Sequence, residues 1–349
     1  MMMRSNLQEI TKPLVNWFQK EKRDLPWRHT SDSYKIWISE IMLQQTRVEA
    51  VKGYYERFLQ ALPTLEDLAK VKEDELLKLW EGLGYYSRAK NLKKCAELLI
   101  QNNLKELPHD YIELMKLPGI GPYAAGSIGS IAYQLKTPAI DGNVLRVMTR
   151  LHEDDRDILN SKVRKDYFEK LQKIMPDNTR DFTESLMELG ALICLPNGVP
   201  LCEKCPISFY CQSYKNQTIH KYPVKKKEVK RKIEEKTILI LEYNGLYAIQ
   251  KRPSKGLLAS MYEFLNISSN LQESEVKNWL EEKKITDYQI EDFGSAKHIF
   301  SHIEWHMKGY RIKCLSKNNL DLIWASKEEL EKKYSIPNAY IKYLNKILS

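Results

Sequence analysis

The feature that most limits how this 349-residue chain can fold is a change of hydrophobic period partway along it. Up to about residue 214 the apolar residues follow a helical spacing, as in Leu65, Leu68, Val71, Leu76, Leu77, Leu79 and Trp80, or Leu92, Ala96, Leu99 and Ile100. From Thr237 onward the pattern shortens to β-branched and aromatic runs at 237–243 and 246–250, joined by Asn244-Gly245, the strongest short-range sign of a hairpin turn. The spacing therefore predicts a mostly α domain over 1–214, a linker over 215–236 and an α+β domain over 237–349. The chain is long enough for two cores that could each fold alone. Alternation through 298–311 predicts one long strand, with Ile299, Ser301, Ile303, Trp305 and Met307 on one side and Phe300, His302, Glu304 and His306 on the other. Histidines four apart on a strand are ~13 Å from each other, too far to share an ion.

Charge singles out the segment between the halves. The chain carries a net charge of +9, and residues 215–236 hold nine Lys or Arg against three Glu, so most of the excess is local. Such a run suits either a polyanionic partner or a solvated linker. With 43% hydrophobic and 29% charged residues the composition is that of a soluble globular protein. No apolar run approaches the ~18 residues of a membrane span, and the N-terminus lacks the apolar core of a signal peptide. A cytoplasmic, membrane-free protein is expected.

Four of the six cysteines, Cys194, Cys202, Cys205 and Cys211, are separated by seven, two and five residues. In a cytosolic chain such clustering argues for metal thiolates over disulfides. Zinc would accept four sulfurs, but one Cys-x-x-Cys without a second pair favours an iron–sulfur cluster. Cys95 in a helical pattern and Cys314 in a strand pattern read as packing residues.

A third group of residues points to chemistry. Leu117-Pro118-Gly119-Ile120-Gly121 suits a tight turn between helices whose exposed N–H groups can hold a phosphate, and Asp141 follows one helix length later. Glu40 stands among Ile36, Trp37, Ile38 and Ile41, where burial would keep a proton on it near neutrality. Gln44 and Gln45 can read base edges or replace a displaced base, and Tyr85-Tyr86, after Gly82-Leu83-Gly84, could stack in an opened duplex.

In this order, Glu40 with Leu43-Gln44-Gln45-Thr46, Gly82-Leu83-Gly84-Tyr85-Tyr86, Leu117-Pro118-Gly119-Ile120-Gly121, Asp141-Gly142-Asn143-Val144 and the four cysteines resemble the MutY adenine DNA glycosylases of the helix-hairpin-helix superfamily. The match runs over about residues 20–215. The resemblance implies an all-α helix-hairpin-helix domain with an iron–sulfur loop holding a [4Fe–4S] cluster on Cys194, Cys202, Cys205 and Cys211. It also implies a monomeric bacterial enzyme of the nucleoid that removes adenine mispaired with 8-oxoguanine or guanine in duplex DNA. By the same resemblance Glu40 protonates the flipped adenine, Asp141 stabilises the cationic sugar, and Tyr123 and Asn143 position the sugar, the acid or the water. Gln45 and Tyr85 resemble the residues that enter the duplex, while Glu184 and Arg28 contact the adenine pocket. Related endonuclease III enzymes present a Schiff-base lysine two residues past the second glycine; Tyr123 stands there and cannot form an imine, which implies a monofunctional glycosylase. The family's first cysteine gap is six residues and this one is seven, which puts the local loop contacts in question.

The second half resembles, more loosely, the Nudix-like recognition domain of these enzymes, in which Phe300-Ser301-His302 match the loop that contacts 8-oxoguanine. The glutamate run that Nudix hydrolases use to bind metal is missing, so this half is expected to bind without hydrolysing.

Overall fold

The computed structural model describes residues 7–226, 231–317 and 320–349. Residues 1–6, read above for a leader, and 227–230, within the basic run, lie outside the described residues. The chain divides into two compact units, Met1–Lys70 with Asn91–Lys227, and Val71–Lys90 with Glu228–Ser349.

The first unit is helical. Its elements are α1 (Thr11–Glu21), α2 (Ser33–Leu43), α3 (Val48–Ala61) and α4 (Leu65–Lys70). After α5 (Glu73–Leu79), which belongs to the second unit, come α6 (Ser87–Gln101), α7 (Tyr111–Met115), α8 (Pro122–Ala132), α9 (Gly142–His152), α10 (Ser161–Ile174), α11 (Thr179–Leu192) and the short α12 (Gln212–Lys215). Helix α9 is buried along almost its whole length and packs with α1, α10 and α11 around Leu14, Val144, Met148, Tyr167, Phe182 and Leu189. Helix α2 is buried over most of its length, with Ile36, Trp37, Ile38, Ile41 and Met42 inside and Lys35 the polar residue that reaches its outer side.

The second unit is a six-stranded sheet in the order β4-β5-β1-β3-β2-β6, formed by β1 (Lys232–Tyr243), β2 (Leu246–Lys251), β3 (Tyr262–Ile267), β4 (Tyr288–Ile299), β5 (Ile303–Cys314) and β6 (Ile323–Ser326). Strands β1 and β5 run parallel, from Lys232 opposite Ile303 to Glu242 opposite Lys313, and the other pairs are antiparallel. Period-two alternation sorts side chains to the two faces. Ile238, Ile240, Trp305 and Met307 pack with Tyr343, Leu344 and Ile347 of α15 (Ile341–Leu348), which follows α14 (Lys327–Lys332). Leu239, Leu241, Tyr310 and Ile312 meet Val276 and Leu280 of α13 (Glu273–Glu282). Asn244 and Gly245 both have positive φ, 48° and 74°, as a type I′ turn requires.

Residues 71–90 read in the sequence as one more helical stretch, yet they pack with the sheet. Asp74 accepts from Lys251 Nζ at 2.6 Å and Tyr262 OH at 3.0 Å, and Glu81 from the Ile336 N–H at 2.6 Å. Two other readings are corrected. Strand β1 begins at Lys232, five residues before Thr237. The single strand expected over 298–311 is a hairpin, β4 and β5 joined at Phe300-Ser301-His302, where Phe300 N–H donates to Ile303 O at 2.8 Å. Nothing in that turn is Gly, Pro or Asn, so alternation alone hides the reversal.

Candidate active site

The centre of the first unit forms because a buried helix carries an acid. Asp32 caps α2, its carboxylate accepting from the Tyr34 and Lys35 N–H groups at 2.9 and 3.3 Å. Two turns on, Glu40 has nowhere to go but inward and is only 4% exposed. Its partner comes from α8. Pro122 opens that helix, and Gly119 before it has φ of +78° and a Cα where an added Cβ would lie 2.6 Å from Asn91 Cβ, so only glycine fits the turn. This hairpin aims Tyr123 at α2, where its hydroxyl donates to Glu40 Oε2 at 2.7 Å. Burial pushes Glu40 up to about 7. Tyr123 and Ser127 pull against that shift, and the charges of Glu184 and Asp141 add to it. A carboxyl poised there can deliver a proton at neutral pH.

Asp141 caps α9. Its Oδ1 accepts from Val144 N–H at 2.7 Å and its Oδ2 from Asn143 Nδ2 at 2.7 Å. Asn143 Oδ1 in turn accepts from Arg146 Nη2 at 2.9 Å, and that guanidinium also donates to Gly190 O and Cys194 O at 2.7 and 2.8 Å. A Cβ on Gly190 would lie 2.5 Å from Asn143 Cβ, so the close crossing of α11 over α9 fixes the amide. Burial raises the Asp141 pKa while these donors and Arg146 lower it.

Helix α11 supplies two more buried acids one turn apart. Glu184 lies 3.5 Å from Arg28 Nε and 3.6 Å from Arg180 Nε, and burial raises its pKa against both cations. Glu188 is gripped by two arginines. Arg23 donates from its backbone N–H, Nε and Nη2 at 2.9, 3.0 and 2.6 Å, and Arg28 from Nη1 and Nη2 at 3.0 Å each. That clamp outweighs burial and holds Glu188 down at about 2.

Glu40, Tyr123, Asp141, Asn143, Glu184 and Arg28 thus share the interior of one unit. Gln44 and Gln45 follow α2 in a turn, with Gln45 exposed and left-handed at φ +59°. Gly121 caps α8 with extended backbone. In the second unit a cleft of about 730 Å³ is lined by residues 82–87, 257–259 and 298–303, among others, which brings Tyr85 together with Phe300, Ser301 and His302. Tyr85 is 46% exposed, and its hydroxyl lies 3.3 Å from Ser301 Oγ. Tyr86, paired with it in the sequence as a stacking residue, is buried and accepts from Gly82 N–H. Left-handed φ at Tyr85 turns the two neighbours apart.

The four clustered cysteines line one small cavity with Val147, Leu151, Leu189, Ile193 and Ile207. Arg150 Nη1 donates to Cys194 Sγ at 3.3 Å. Among the described residues no three His, Cys, Asp or Glu are grouped closely enough to hold one metal ion. Four thiols around a cavity, with a guanidinium to offset thiolate charge, nonetheless make a donor set suited to a multinuclear cluster, whose ligands stand farther apart than those of a single ion. Cys95 and Cys314 are buried and are not among the residues that line it.

The sequence reading did not find Arg23, Arg180, Glu188, Arg146 or Ser127. Helical spacing offered a sign for Glu188 and Arg180, each one turn from Glu184, for Ser127, one turn from Tyr123, and for Arg146, one turn from Asn143; the arginines that hold Glu188 lie 160 and 165 residues earlier.

Comparison with known proteins agrees with this geometry. Residues 38–173 match the HhH-GPD superfamily of base excision DNA repair proteins, and residues 237–346 match the NUDIX domain. An adenine DNA glycosylase of Buchnera aphidicola subsp. Schizaphis graminum is 34% identical over 298 residues, 84% of each chain. A second, from Buchnera aphidicola subsp. Baizongia pistaciae, is 34% identical over 321 residues, 89% of each chain. Among solved structures, a thermostable thymine-DNA glycosylase superposes with a TM-score of 0.56 and 31% identity, covering 60% of this chain and 97% of its own. No helix among the described residues is long and apolar enough to cross a membrane.

Proposed function

This chain belongs to the adenine DNA glycosylases of the HhH-GPD superfamily, and from that premise we propose that it excises adenine paired with 8-oxoguanine, or with guanine, from double-stranded DNA. The observation that carries the reading is Glu40, shut away from water, held near pH 7 and bonded to Tyr123, with Asp141 close enough for its charge to be felt.

Base release then follows from two acids with different tasks. Glu40 gives its proton to a ring nitrogen of the extruded adenine, so the electrons of the N-glycosidic bond leave with a neutral base. Asp141, its oxygens fixed by Val144 and Asn143, faces the positive charge left on the sugar; a carboxylate there is worth several kcal/mol where water is excluded. Water adds to the cation with Tyr123 and Asn143 as positioning groups and passes a proton back to the Glu40 carboxylate, giving free adenine, an abasic site and the acid restored. Arg28 and Glu184 border the base. Gly119 and Gly121 offer N–H groups to a phosphate, Gln44, Gln45 and Tyr85 enter the opened duplex, and Phe300, Ser301 and His302 read the opposing base. With Tyr123 in place of a lysine the enzyme is monofunctional, and borohydride traps no efficient protein–DNA adduct.

The helical unit carries the chemistry, and the sheet unit, which takes in residues 71–90 and strand β1 from Lys232 onward, recognises without hydrolysing. Cys194, Cys202, Cys205 and Cys211 would hold a [4Fe–4S] cluster, which when bound cross-links its loop and takes no part in base release. The protein works as a cytoplasmic monomer on the nucleoid.

A single-turnover assay on duplexes with adenine opposite 8-oxoguanine, guanine, cytosine and thymine tests the reading. Release is expected opposite the first two only. Glu40→Gln is expected to bind DNA normally and lose release by orders of magnitude. Equal release from all four duplexes, or unchanged turnover in Glu40→Gln, overturns the proposal.

A further inference from the structure

Ser127 lies one helical turn beyond Tyr123 on α8, so it shares the face that carries the phenol to Glu40. It is wholly buried, and its hydroxyl makes no hydrogen bond of normal length, although it stands near enough to Glu40 and Tyr123 to lower the pKa of each. Other buried helix serines of the same unit behave differently. Ser130 donates to Gly126 O at 2.8 Å, Ser39 to Ile36 O at 2.7 Å and Ser185 to Phe182 O at 2.7 Å. A serine inside a helix ordinarily turns back to a carbonyl three or four residues earlier. Ser127 forgoes that bond, and a hydroxyl left unpaired in a dry interior is costly unless something there uses it.

We infer that Ser127 is a positioning residue for the acid: its hydroxyl, short of a full hydrogen bond in the resting protein, closes on the Glu40 carboxylate and donates to it as Glu40 gives up its proton. The inference rests on Glu40 being the acid, as proposed above. In the resting structure the hydroxyl already bears on both members of the pair, lowering the pKa of Glu40 and that of Tyr123, as a donor to the charged form would. The charged and titratable groups that face Glu40 are Tyr123 from α8, Asp141 at the cap of α9, and Glu184 from α11 with Arg28 and Arg180 behind it. Arg28 and Arg180 are paired with Glu184, and Tyr123 and Ser127 are the groups that lower the pKa of Glu40 and so support its negative form. When the proton passes to the base, the carboxylate left behind has two oxygens and one tyrosine; Ser127 is the second donor.

The test uses the full chain, Ser127→Ala and Ser127→Cys. The first readout needs no activity: the protonated-carboxyl infrared band of Glu40, identified as the band lost in Glu40→Gln, is titrated without DNA. Loss of the donor in Ser127→Ala is expected to move that titration up by about half a pH unit or more. The weak S–H donor of Ser127→Cys is expected to move it less. The second readout is single-turnover adenine release against pH. Its basic limb is expected to shift upward by the same amount, and the plateau rate to fall several-fold, because the developing carboxylate has lost support. A titration and limb that stay in place while only the melting temperature changes overturn the inference, as does a shift to lower pH. Failure of the parent to release adenine at all would sink the proposed function, and the infrared titration would still decide the role of Ser127.

Discussion

Two glutamates of the helical unit are both hidden from solvent and are shifted in opposite directions. Glu40 on α2 has hydroxyls for company and two like charges nearby, and it is pushed up to about 7. Glu188 on α11 has two guanidinium groups laid along both oxygens and is held at about 2. Burial alone therefore does not decide how an acid behaves; the partners that are buried with it do. One site keeps a proton available, and the other gives up its proton to lock Arg23 and Arg28 in place. Because Arg28 also faces Glu184, the locked site forms one wall of the poised one.

The largest effect should come from breaking the locked side. Glu188→Ala leaves two arginines facing an empty buried position, and removing one partner of a buried ion pair costs about 3–5 kcal/mol. Urea unfolding at pH 7 measures it, and a loss below ~1 kcal/mol would mean that the clamp is replaced by water or by other acids.

Next in size is the pH dependence of the two sites, where the signs oppose. Glu188 has its folded pKa below the ordinary 4.5, so its contribution is present above pH 4.5 and disappears as pH falls toward 2. The shift corresponds to about 3 kcal/mol. Glu40 has its folded pKa above 4.5, so its contribution is present below pH 4.5 and is lost as pH rises through 7, again by about 3 kcal/mol. Stability of the parent minus that of Glu188→Gln should therefore climb between pH 2 and 4.5. The same difference for Glu40→Gln should decline between pH 4.5 and 7. Differences that move in the same direction would erase the contrast between the sites.

How much of this could be read in the chain differs between the two regions in the same way. Glu40 was legible because Ile36, Trp37, Ile38 and Ile41 surround it within a few residues, and local sequence carries that information. The change from a helical to a strand period, and the Asn244-Gly245 turn, are local as well. The Glu188 clamp was not legible, because its cations precede it by 160 residues or more and only the packing of α1 and its following turn against α11 brings them together. The turn at Ser301 and the inward rotation of Tyr86 escaped for another reason. Phe-Ser-His holds no Gly, Pro, Asn or Asp and its lone serine also suits a strand, and a left-handed φ at Tyr85 is a backbone choice that its side chain does not announce.

The smallest predicted effect sharpens the contrast from the poised side. Tyr123→Phe removes the hydrogen bond that Glu40 Oε2 receives at 2.7 Å and leaves both arginines of Glu188 untouched. When Glu40 is protonated, the lost bond is one between neutral groups and should cost about 1 kcal/mol. As pH rises and Glu40 ionises, the missing hydroxyl would have donated to a charge, and the cost should grow to about 2 kcal/mol. Chemical unfolding of the parent and Tyr123→Phe from pH 4 to 9 should give a gap that widens around pH 7, with the acid limb set by Glu188 unchanged. A gap of constant size would mean that the phenol packs beside Glu40 without sensing its charge, and the difference between the two glutamates would then owe nothing to Tyr123.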